Sequence, residues 1–154
     1  MSEQTLKATV QSDLHDAMRA RDKVRAGALR MALTSITNEE VSGKQARELS
    51  DDEVLKVLAK EAKKRKEAAT AYRDAGHPER AEAEEAELVV LEAYLPAQLG
   101  DDELNALVAQ AVAETGATGM QQMGQVMKAV QGPVAGRADG GRIAAAVKAA
   151  LAGK

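Results

Sequence analysis

Apolar residues recur along the chain at about one helical turn, and this spacing predicts a succession of amphipathic helices. Leu6, Val10, Leu14 and Met18 mark the first. The polar run 19–23 either bends that helix or opens a second one, which carries Leu29, Ala32, Leu33 and Ile36 on one face and ends at Ser42-Gly43-Lys44. Ser50 begins a third helix. Ser50-Asp51-Asp52-Glu53 has the form of a capping box, with the serine hydroxyl and the Glu53 carboxylate each satisfying the other's backbone N–H. The apolar stripe of this helix is Val54, Leu55, Leu58, Ala62, Ala69 and Tyr72, with Gly76 as its stop. Pro78 suits the first turn of a fourth helix, which runs from about Glu79 to Leu95 and is closed by Pro96.

Beyond Pro96 the texture changes. Glycine becomes frequent, and residues 100–154 hold five bases and five acids, so this part is neutral. Gly100-Asp101-Asp102-Glu103 opens a helix with Leu104, Leu107, Val108, Ala111 and Val112 at helical spacing, ending at Gly116. A short helix with Met120, Met123, Met127 and Val130 on one side is predicted next, and Gly132-Pro133 is expected to break it. Asp139 caps a last helix with Ile143, Val147 and Leu151 inside. The methionines read as packing, with Gly124 beside them allowing close helix approach. The fold class expected is all-α: an N-terminal domain of about four helices, residues 1–96, followed by a small three-helix domain, residues 97–154.

Composition reinforces the helical reading. The chain has 154 residues, no Phe, no Trp and only Tyr72 and Tyr94 as aromatics, while Ala, Leu, Glu, Lys and Arg favour helix. Cysteine is absent, which removes disulfide and thiolate chemistry and suits a reducing cytoplasm. No stretch approaches the roughly 20 apolar residues of a membrane helix, and the N-terminus lacks a signal-peptide core. A cytoplasmic location with no membrane partner is expected. The formal net charge of −3 argues mildly against strong non-specific RNA binding.

Catalytic patterns are sparse. His15 and His77 stand far apart without paired ligands, so no metal site and no cofactor is expected. None of the five serines lies in a Gly-x-Ser-x-Gly turn or a Ser-x-x-Lys arrangement, and there is no phosphate-binding loop. Two features carry binding chemistry. On the third helix Lys56, Lys60, Lys63 and Lys64 fall within one arc opposite Val54 and Leu58, with Arg65 and Lys66 to either side. Such a face can track a phosphate backbone, or it is simply a solvated face or one paired with the acidic fourth helix. The second is Gly136-Arg137-Ala138-Asp139-Gly140-Gly141-Arg142, where a helix start flanked by arginines can hold a phosphate, or is a tight connection with an Asp cap.

Several strings together resemble one family. Ala20-Arg21-Asp22-Lys23, Leu29-Arg30 and Asn38-Glu39 resemble the N-terminal signature of YqeY-like proteins. The run Lys60-Glu61-Ala62-Lys63-Lys64-Arg65-Lys66-Glu67 resembles their basic third helix. Glu84-Glu85-Ala86-Glu87-Leu88 and Tyr94-Leu95-Pro96-Ala97-Gln98-Leu99 resemble the hinge segment, and Met123-Gly124-Gln125-Val126-Met127 and Gly136-Arg137-Ala138-Asp139-Gly140 the C-terminal signature. The matches run in order over nearly the whole chain.

The GatB/YqeY resemblance implies a free-standing relative of the tail of GatB, the B subunit of the tRNA-dependent amidotransferase. That tail engages tRNA, while ammonia production and amide transfer occur elsewhere in the enzyme. For this chain the resemblance implies a tRNA-binding accessory module with no catalytic activity of its own. Any carbon–nitrogen ligase activity with glutamine as amide donor belongs to the parent complex. Lys60, Lys63, Lys64, Arg65, Arg137 and Arg142 are its candidate RNA contacts. Partners implied are tRNA and an aminoacyl-tRNA amidotransferase or synthetase, and docking on such a protein without touching RNA is the alternative. The chain departs from the family pattern at Gln125, where relatives often carry Lys, at Ala68, where a Ser is usual nearby, at Gly141-Arg142, where Lys-Leu is common, and at His77, where Arg is frequent.

Overall fold

Helix caps set the order of elements before any packing is considered. The computed structural model describes residues 4–153, and among the described residues there are seven α-helices, one 3₁₀ turn and no strand. The described residues fall into two compact units on either side of the Leu95–Pro96 bond.

The first unit holds α1 (Leu6–Arg19), α2 (Lys23–Glu40), α3 (Asp51–Asp74) and α4 (Pro78–Glu92). Thr5 caps α1, its hydroxyl accepting from the Ala8 N–H. The chain between α1 and α2 breaks outright rather than bending. Arg21 takes a left-handed conformation at φ 58°, and Asp22 caps α2 by accepting from the Arg25 N–H. The capping box on α3 forms as its residues require, with Glu53 N–H donating to Ser50 Oγ and Ser50 N–H donating to Glu53 Oε1. Helix α4 begins at Pro78 and ends at Glu92, earlier than the apolar pattern suggests, because Tyr94 and Leu95 close in single i→i−3 turns.

The core of this unit gathers Ala32 and Ile36 from α2, Val54, Leu58 and Ala62 from α3, and Leu88 and Leu91 from α4. It is wholly aliphatic, each larger side chain contributing about 1.5–3 kcal/mol on burial. Along α1 the buried positions are Val10 and Ala17, whereas Leu14 is half-buried and Met18 exposed. The small alanine, not the larger methionine, takes the inward place as α1 turns into α2.

The second unit holds α5 (Asp101–Thr115), α6 (Met123–Val134) and α7 (Gly140–Ala152), with a 3₁₀ turn at Met120–Gln122. Its core is Leu104, Val108 and Val112 from α5, Val126, Val130 and Val134 from α6, and Ile143, Val147 and Leu151 from α7. On α6 the valines at i, i+4 and i+8 take the centre. Met123 and Met127 pack beside them only partly buried, and Met120 precedes the helix and is exposed. Nor does Gly132-Pro133 break α6: the helix runs through Pro133 to Val134. The residue before a proline is normally driven out of the α region by a clash involving its side chain, and Gly132 has none to clash. The turn that does end α6 is made by Ala135 and Gly136, both left-handed, at φ 50° and 76°.

Among the described residues no helix is long and apolar enough to cross a membrane.

Candidate functional site

Helix α3 is 24 residues long, and only its inner arc is needed for packing, which leaves a long outer face to solvent. Lys56, Lys60 and Lys63 stand on that face, are exposed, and have no ion-pair partner among the described residues. Glu67 lies one turn beyond Lys63 on the same arc and moderates the charge there. Lys64 is turned toward the side, with Nζ 3.2 Å from Glu61 Oε1, although its own side chain stays largely exposed.

Arg65 does not flank this face. Nine residues after Lys56, at about 100° each, it falls half a helical turn away, toward the core. Its guanidinium is drawn between α3 and α4, within 3.5 Å of Glu61, 3.7 Å of Glu84 and 2.9 Å of Glu87, and its side chain is only 12% exposed. Glu61 is itself buried and accepts a hydrogen bond from the Ser35 hydroxyl of α2 at 2.7 Å. The apolar stripe holds the clue to this network. An acid stands beside Ala62 and three residues after Leu58, within the inward arc, and an arginine follows it by four. Further along the same pair of helices, Arg73 donates to both oxygens of Glu85 in a two-point contact at 2.7 and 2.9 Å.

The turn before α7 uses its arginines internally. Arg137 Nε donates to the Ala97 carbonyl at 3.0 Å. Arg142 donates to the Leu99 carbonyl at 2.9 Å and to Asp101 at 3.0 Å. The Leu99 N–H in turn donates to the Arg137 carbonyl at 2.7 Å. These bonds fasten the segment leading into α5 to the start of α7. The N-terminal amides of α7 are also partly claimed, since Asp139 accepts from the Arg142 N–H at 2.9 Å. A phosphate arriving there meets the Asp139 carboxylate, which opposes it. Arg137 retains the more open side chain of the two, 37% against 33% exposed.

Among the described residues no group of three or more His, Asp or Glu side chains is placed to hold a metal ion. His77 is the N-cap of α4 but makes no side-chain cap bond, and its ring stands 3.7 Å from Glu79. Near the end of α4, Tyr94 donates its hydroxyl to Asp13 of α1, and Arg25 of α2 stands 4.0 Å from the same carboxylate. Burial, and then this bond to Asp13, push the Tyr94 phenol well above its usual range. The grouping ties α1, the start of α2 and the segment just after α4 together.

What the geometry offers chemically is an exposed cationic face on α3 and a fixed frame behind it. A family model described as Yqey-like protein matches residues 7–151. An uncharacterized protein of Schizosaccharomyces pombe is 36% identical over 92 residues, which make up 59% of this chain and 72% of the yeast protein.

Proposed function

Since the chain belongs to the YqeY-like protein family, we propose that it acts as a tRNA-associated accessory module related to the tail of the amidotransferase B subunit, with no catalytic centre of its own. In this reading residues 1–96 and 97–154 work as separate domains in the cytoplasm, and the first presents the RNA contacts. The observation that carries it is the row of Lys56, Lys60 and Lys63 on α3, exposed and without ion-pair partners among the described residues. A row of ammonium groups on a rigid helix suits a phosphate backbone read by charge rather than by base. Arg137 is a secondary contact, because its side chain stays 37% exposed even though Nε holds the Ala97 carbonyl and Nη2 stands 3.9 Å from Glu103. Arg65 and Arg142 contribute mainly by holding the frame, while Lys64, largely exposed and 3.2 Å from Glu61, stands at the side of the face.

The test is binding of the purified chain to bulk tRNA across a salt series, wild type beside Lys60→Glu/Lys63→Glu. The reading expects log affinity to fall linearly with log salt, by about 0.9 for each phosphate neutralised. The double variant, folded by circular dichroism, should bind more weakly with a shallower slope. Equal affinity and equal slope in the two proteins would remove this face from consideration.

A further inference from the structure

We propose that the outer face of α2 docks an acidic amphipathic helix of a partner protein, using Val24, Gly27 and Met31 as a shallow apolar seat. Among the described residues, three of the six large hydrophobic residues that stand exposed, Met18, Val24 and Met31, fall within residues 18–31. Val24 is 48% and Met31 51% exposed, and standing seven positions apart they share one side of α2, about 10 Å from each other. Gly27 lies between them at i+3. A Cβ added there would meet nothing within 4 Å, so packing inside this chain does not demand a glycine. Glycine in a helix interior costs stability relative to alanine. Here it leaves a notch between two exposed apolar side chains, into which a second helix can settle closely.

Charge identifies the occupant. Residues 18–31 hold five bases and one acid; Arg19 and Arg25 pair with Asp16 and Asp13 just outside that stretch, which leaves Arg21, Lys23 and Arg30 against Asp22, a net of +2 in a chain of −3. Lys23 and Arg30 form a second row alongside Val24 and Met31, one residue behind each, exposed and without ion-pair partners among the described residues. A helix with leucine-like residues toward the notch and carboxylates along its edges matches both rows at once. A second copy of this chain fits poorly, since pairing the face with itself sets Lys23 and Arg30 against their own kind. RNA would use only the cationic row and leave Val24 and Met31 bare, since neither offers a stacking platform for bases. The inference is independent of the lysine row on α3.

The probe is a labelled 18-residue peptide with leucines at i, i+3 and i+7 and glutamates elsewhere, compared with a scrambled peptide of equal composition. Anisotropy should show the patterned peptide binding at least about tenfold more tightly than the scrambled one. Its addition should move the backbone amide resonances of Val24, Gly27 and Met31. Val24→Asp/Met31→Asp should weaken it about tenfold. Gly27→Ala should raise the unfolding midpoint and still weaken peptide binding, a combination a purely structural role does not produce. Lys60→Glu/Lys63→Glu should leave peptide binding unchanged, so failure here is separable from failure of the tRNA reading. Equal binding of the scrambled peptide, or no loss in the Asp double variant, overturns the proposal. So do an oligouridine that shifts the same amides more strongly than the peptide does, and self-association abolished by Met31→Asp.

Discussion

The Arg65 Nε lies 2.9 Å from the Glu87 carboxylate, joining the middle of α3 to α4. The contact is one of charge more than of hydrogen-bond alignment, for that N–H has no aligned acceptor. With Glu61 on its other side, Arg65 bridges acids from both helices. One arginine thus neutralises a buried carboxylate and fixes the angle at which the lysine row is displayed.

Replacing Arg65 with Leu should therefore destabilise the first unit by about 3 kcal/mol, because breaking a buried pair strands the other charge. Glu61 would keep only the Ser35 hydroxyl and the exposed Lys64. Lys64→Ala, which removes a largely exposed cation, should cost less than about 1 kcal/mol. Urea unfolding of the two variants checks the contrast. Equal small losses would show that Arg65 locks nothing.

Tyr94 gives an optical signature of the junction between α1, α2 and α4. Its phenol is pushed up by burial and by the Asp13 carboxylate that accepts its hydrogen bond. Subtracting the Tyr94→Phe titration from the wild-type one should leave no phenolate absorbance until the pH is well above the ordinary tyrosine value near 10. For a group whose pKa is raised on folding, the stabilisation is complete below the unfolded value and is lost as pH climbs toward the folded one. Alkaline unfolding should accordingly be shallower in Tyr94→Phe than in wild type. A difference signal centred at pH 10 in the folded protein would dissolve the Asp13 contact.

What the sequence made legible is what local chemistry decides. The Ser50/Glu53 box needs only four residues, and Gly116 ends α5 in the left-handed conformation that glycine accepts most easily. Tertiary choices were less legible. Val126, Val130 and Val134 and the methionines beside them are all apolar at helical spacing, so only the neighbours α5 and α7 decide which row faces inward. Among the candidate contacts, Lys60 and Lys63 stand where periodicity places them. Arg137 and Arg142 could not be assigned from spacing, because their partners Ala97, Leu99 and Asp101 lie about 40 residues away. Gly27 gave no local signal at all, since its meaning depends on what surrounds it.

Acid should weaken the bond between α1 and α2. Lys7 Nζ donates to Glu40 Oε1 at 2.7 Å, and this hydrogen bond holds the Glu40 carboxyl below its ordinary value of 4.5. Depression on folding means the contribution is present above the unfolded value and lost as pH falls through the lower folded one. The stability gap between wild type and Lys7→Met should be full at pH 6 and should close as pH falls below about 4.5. Denaturant midpoints measured at several pH values read this directly. A gap that persists undiminished at pH 2 would assign the effect to the lysine's methylene packing.

Ala135 offers the cleanest route to a more stable protein. It ends α6 at φ 50°, ψ 43°, where a Cβ crowds the backbone and a left-handed residue costs roughly 1–2 kcal/mol. Glycine removes that strain, although its greater freedom in the unfolded chain returns part of the gain. Ala135 is exposed, so losing its methyl group sacrifices little packing. The Ala135 N–H keeps its bond to the Gln131 carbonyl, which does not involve the side chain. Ala135→Gly should therefore stabilise the second unit by about 1 kcal/mol, seen as a higher thermal midpoint with an unchanged helical spectrum. Gly136→Ala, which adds a Cβ at φ 76°, should move the midpoint in the opposite direction by a similar amount. Should both substitutions lower the midpoint, the turn owes its shape to contacts of the Ala135 methyl group, not to backbone preference.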